Sequence, residues 1–160
     1  MISRIDLTYG ISVALYGIVA DLLFDKEGNE RDYPLSIRFA LNRNLAVFEK
    51  DFRMVNSKRD ELIRKYGKLD EEGKKYSLEE GTEEAEKAQE EFARVLDTSV
   101  SHNLVQIEAD EVGAFKDTPL NRIDLELFIA CLVHDPTLEE ELGMEPKKSV
   151  KVEDGEEVGQ

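Results

Sequence analysis

The chain has 160 residues, of which 41% are hydrophobic and 36% charged, and it carries a formal net charge of −15. That length suits one domain with a real core, and the acidic balance argues against direct nucleic-acid binding, which needs clustered Lys and Arg to neutralise phosphates. A single cysteine, Cys131, excludes an internal disulfide and points to a reducing, cytoplasmic setting.

A first helix is predicted from a Thr8 N-cap to about Phe24, because the threonine hydroxyl can accept from an otherwise unpaired amide. Ile11, Leu15, Ile18 and Leu22 keep a 3–4 spacing along it, and further apolar residues widen the stripe enough to imply a largely buried helix. The 14-residue apolar stretch Ile11–Phe24 is interrupted by Asp21 and is too short to span a bilayer. It also lacks the cleavage site of a signal peptide. Gly10 and Gly17 fit such a helix where a neighbour packs closely against them. Asp25–Glu30 reads as a turn, with Gly28 or Asn29 suited to positive φ.

Pro34 suits the first position of a long second helix ending near Gly67. Leu41, Leu45, Phe48, Phe52, Val55, Leu62 and Tyr66 alternate spacings of 4 and 3, broken only at Arg59, and form a heptad-like seam. Leu45, Phe48, Phe52, Val55 and Leu62 should therefore be buried, with most of the basic residues of this helix solvated. Residues 31–68 hold ten Lys/Arg against five Asp/Glu, a net of +5, whereas 69–91 hold three against ten, a net of −7. Pairing between the two segments is the first expectation, and an acidic surface for a basic partner is the second.

Thr82 is the expected cap of a third helix with Ala85, Ala88, Phe92 and Val95 or Leu96 on its apolar face. Residues 103–108 are β-prone, and a short ribbon with residues 75–78 is the pairing considered. A turn or short helix at Asp110–Phe115 leads to a last helix over about Leu120–Val133, stopped by Pro136. The reading is thus mainly α: an antiparallel helical hairpin or bundle of about four helices, with an optional short β-ribbon. One helical domain covers 1–135, followed by an acidic, flexible tail over 136–160.

No phosphate loop, metal-spaced Cys/His set or nucleophile elbow is present. His102 and His134 stand 32 residues apart without further marked ligands, so each is expected to be a satisfied or an exposed loop histidine, with no metal and no cofactor. Cys131, on the apolar face of the last helix, reads as a small hydrophobe. Glu83, Glu84, Glu90 and Glu91 on the third helix have two readings. They are a solvated face paired with the basic helix, or partner-binding carboxylates that imitate a nucleic-acid backbone. Outward, unpaired carboxylates would fit the second, and ion pairs with Arg and Lys the first.

The order of segments resembles a family of small tailed-phage and prophage proteins of Gram-positive hosts. The match rests on Leu7-Thr-Tyr-Gly10 with Val13–Gly17, on Pro34–Leu45, and on Arg59–Gly73, which carry that family's long "ARN" helix and its "YG-x-x-D-x-x-G" turn. It covers roughly residues 7–133 and implies a phage origin and a helical-hairpin fold, with no catalytic residues to carry over. The expected function is a phage-encoded, non-enzymatic protein-binding factor, a virion or tail component or an assembly factor. The alternative is a small acidic inhibitor of a basic host defence protein. Either would reside in the cytoplasm of the infected bacterium, the first extending to the virion. The expected partner is another protein, or a second copy of the chain, with no membrane and no nucleic acid bound directly.

Overall fold

Thr8 ends a seven-residue strand, β1 (Ile2–Thr8), and its hydroxyl accepts from the Ile11 amide at 3.2 Å, so the cap that opens α1 (Tyr9–Leu23) is as predicted. The computed structural model describes residues 1–118 and 120–135, and the tail expected over 136–160 lies outside them. A turn with Gly28 at φ 84° leads to α2 (Leu35–Tyr66), where Pro34 is the N-cap and Leu35 takes the first helical position. Two short strands follow, β2 (Lys68–Leu69) and β3 (Tyr76–Ser77), then α3 (Glu83–Leu96), capped by Thr82 through the Ala85 amide at 3.3 Å. The chain continues through β4 (Ser99–Val105), β5 (Ile107–Glu108) and a 3-10 segment over Ala109–Phe115. It then forms α4 (Arg122–Leu132), which starts two residues later than expected because Asn121 caps it, and β6 (Val133–His134). The protein is mainly helical, with small two-stranded sheets.

The strand pairing differs from the sequence expectation. Residues 103–105 belong to β4, which pairs antiparallel with β1 from Ile2↔Val105 to Thr8↔Ser99, whereas the 76–77 segment pairs with Lys68–Leu69. β1 escapes the period-2 rule because Ser3 sits on its inward face beside Ile5 and Leu7, so the inward side is not uniformly apolar. β5 and β6 form a short parallel pair.

The core lies where α1, α2, α4 and the inner face of β1–β4 meet, and it includes Leu15, Leu22, Ile37, Leu41, Phe48, Leu104, Phe128 and Leu132. The buried stripe of α2 runs Ile37, Leu41, Asn44, Phe48, Asp51, Val55 and Leu62, again at 4 and 3 spacing. It is rotated from the predicted seam. Leu45 and Phe52 are half-buried at its flank, because Asn44 and Asp51 take the central slots. Phe52 instead stacks on Tyr16 of α1, ring centres 4.6 Å apart. In α1, Gly10 is the close-approach glycine, since a Cβ there would sit 3.4 Å from the Leu96 carbonyl, whereas the position of Gly17 is open.

Candidate functional site

Three elements bring polar side chains into the core. Asp51 of α2 accepts from the Ser12 hydroxyl of α1 at 2.6 Å through Oδ2. The same oxygen lies 2.9 Å from His102 Nε2 of β4, without the alignment of a directed hydrogen bond. All three residues are buried, and the Phe48 ring meets the imidazole edge-on, 6.5 Å between centroids. Nucleophilic catalysis by serine needs the imidazole between hydroxyl and carboxylate, so that the ring can take the hydroxyl proton. Here the carboxylate stands between the other two, so this order does not generate a serine nucleophile. What the cluster does is join α1, α2 and β4 through one carboxylate. One heptad earlier, Asn44 closes the end of the ribbon: its Nδ2 donates to the Val105 carbonyl and its Oδ1 accepts from the Val105 amide, both at 2.8 Å. A buried peptide group with no strand beside it must find such partners.

The sequence-derived candidates fall apart into separate places. Glu91 receives the Tyr66 hydroxyl and the Lys65 ammonium, the latter at 3.1 Å, which together form the ion-paired junction of α2 with α3 among the described residues. The Tyr66 hydrogen bond first, then Lys65, hold the Glu91 carboxyl below the usual range, and Glu91 in turn raises Lys65. Glu83 pairs within its own helix with Lys87 at 3.0 Å. Glu84 and Glu90 are exposed and have no ion pair among the described residues. Of the four carboxylates, two are thus committed locally and two face solvent unpaired.

His102 is not a loop residue but lies in β4, facing inward. His134 meets Glu108 at 3.2 Å across the β5–β6 pair. Cys131 is half-buried at the margin of the core, and its carbonyl accepts from Gln106 Nε2 at 3.1 Å. No group of three or more potential metal ligands occurs among the described residues, and no helix there is long and apolar enough to cross a membrane.

An apolar surface was not foreseen. Leu35 (78% exposed) and Phe39 (57%) stand one turn apart at the start of α2, beside Met1 (45%). Met1 and Phe39 border a groove of about 370 Å³ whose wall includes Val105, Ile107 and the buried Gln106, with Glu108 and Glu111 at its rim. The Oε1 of Gln106 is buried and has no hydrogen-bond partner among the described residues. The missed signal was the helix start itself, since Leu35 and Phe39 share a face that the seam residues do not use. Compared with protein families, with curated proteins and with solved structures, the chain matches none.

Proposed function

We propose that the protein is a non-enzymatic protein-binding factor encoded by a tailed phage, acting as a virion or tail component or as an assembly factor. The scaffold in this reading is an antiparallel hairpin of α2 and α3 covered by α1 and α4. What supports it is the apolar patch of Met1, Leu35 and Phe39 beside the groove under β4, because contiguous apolar side chains left in water are the usual mark of a protein interface.

Replacing Leu35 and Phe39 together by serine tests it. Both side chains are largely solvated, so stability should change by about 0.5 kcal/mol or less per site. The amount of protein recovered with purified particles or assembly intermediates, read by mass spectrometry, should fall about tenfold, as expected when aromatic and aliphatic anchors are lost. Association of the parent protein should survive ~0.5 M salt, where charges are screened within about 4 Å. Undiminished recovery of the double variant would remove the patch from the interface.

The alternative of an acidic inhibitor retains one specific support, the unpaired Glu84 and Glu90. If that reading holds, reversing Glu83, Glu84, Glu90 and Glu91 to Lys abolishes binding to a basic host protein, and the parent complex dissociates in ~0.5 M salt. Within that set, Glu84 and Glu90 should carry the loss, since Glu83 and Glu91 are already engaged by Lys87, Lys65 and Tyr66. Binding that tolerates the fourfold reversal eliminates the decoy.

A further inference from the structure

We infer that the open edge of β1 pairs with the same edge of a second copy, in antiparallel register about a two-fold axis at Ile5. The first premise is backbone direction. Val105 gives both its amide and its carbonyl to Asn44, so these groups point away from β1, and the alternation of an antiparallel ladder then fixes every other residue. Met1, whose carbonyl accepts from the Gln106 amide, and Tyr9, whose amide donates to the Thr98 carbonyl, confirm the phase at both ends. The backbone groups of Ser3, Ile5 and Leu7 therefore face β4. Those of Ile2, Arg4 and Asp6 face outward and have no hydrogen-bond partner among the described residues.

The second premise is charge. Arg4 and Asp6 are exposed, on the polar outer face of the ribbon, and Arg4 has no ion pair among the described residues. Asp6 accepts from the Ser101 hydroxyl through one oxygen, leaving the other available. Only registers that set outward-facing backbone against outward-facing backbone can form ladder bonds. Centring the axis on Arg4 opposes two arginines, and centring it on Asp6 opposes two aspartates, both unfavourable. Centring it on Ile5 sets Arg4 against the second copy's Asp6 and Asp6 against its Arg4, with the amides and carbonyls of both pairs in hydrogen-bonding phase. The same register brings the half-buried Ile5 side chains together across the axis, on the inner face. The product is a continuous four-stranded sheet with helices packed on one side, which relieves the marginal stability of a two-stranded ribbon. It is a self-complementary interface of the kind that closes a dimer without leading to filaments.

A charge swap tests the register. Sedimentation of the full chain from about 10 µM to about 1 mM should show a reversible monomer–dimer equilibrium. Arg4→Asp alone and Asp6→Arg alone each turn two attractive pairs into two repulsive ones, and each should weaken dimerisation about tenfold or more. The double variant restores opposite charges and should return to near the parent value. Arg4→Pro deletes an outward amide but none of the β1–β4 ladder, a substitution tolerated on edge strands. It should give a monomer with unchanged circular dichroism, which keeps the test decisive if Asp6→Arg folds poorly. The Leu35/Phe39 double-serine variant should dimerise normally, separating this contact from the apolar patch. A parent protein that stays monomeric over the whole range overturns the inference. So do single reversals that leave the dimer intact, or a folded double swap that remains monomeric.

Discussion

Asp51→Ala should destabilise the fold by about 2–4 kcal/mol, because it takes the acceptor from a buried hydroxyl, at about 1–3 kcal/mol, and leaves unfilled space beside it. The truncation leaves the Ser12 hydroxyl, which has no exposure, without its acceptor, and it removes the carboxylate oxygen 2.9 Å from Nε2 of the His102 ring, which lies against Phe48. Neither can turn to water without opening the contact between α1, α2 and β4. Asp51→Asn retains an oxygen for the Ser12 hydroxyl and should cost less, about 1–2 kcal/mol. Replacing the whole cluster by apolar residues of similar size, as Ser12→Ala, Asp51→Leu and His102→Phe together, should cost less than Asp51→Ala alone, because no orphaned polar group remains. Urea denaturation of the four proteins measures this, with the slope confirming a common unfolded reference. A loss under 1 kcal/mol for Asp51→Ala, or a triple variant that loses the sum of its single changes, would contradict the assigned role.

The helices were legible because their signals are local. Thr8 and Thr82 cap helices where the sequence marks them, and the turn at Gly28 adopts the positive φ its residue type suggests. The ribbon was not legible, since β1 and β4 lie far apart along the chain and nothing in Ile2–Thr8 names its partner. Pattern reading also fails for polar residues in central slots. Ser12 lies on the buried stripe of α1, and Asn44 and Asp51 lie one heptad apart on that of α2. A hydrophobic template scores all three as surface. They are buried because each has a fixed partner on another element, and a sequence displays the residue but not the partner. The available clue was the spacing of Asn44, Phe48, Asp51 and Val55 at 4, 3 and 4, since a polar residue within a seam commonly specifies register. The acidic helix was visible as composition, but which carboxylates stay unpaired depended on where Lys65, Tyr66 and Lys87 reach.

The rotation of the α2 stripe has a direct energetic consequence at two phenylalanines that the heptad pattern treats as equals. Phe48 has no solvent exposure and sits between the His102 ring and the core, so Phe48→Ala should cost about 3–5 kcal/mol through lost transfer energy and an unfilled cavity. Part of that cost is specific to the site, since the void opens beside the Asp51 cluster and removes the apolar wall that keeps water from it. Phe52 is half-buried and stacked on Tyr16 at the flank, so water can take part of the vacated volume. Phe52→Ala should then cost only about 1–3 kcal/mol, with the stacking contributing about 1 kcal/mol of it. Equilibrium unfolding of the two alanine variants side by side reads the difference. Tyr16→Leu should halve the penalty at Phe52, because the two rings share one contact, and leave the penalty at Phe48 untouched. Equal losses at the two positions would place the seam where the apolar spacing alone puts it and would remove Asn44 and Asp51 from the centre of the helix interface.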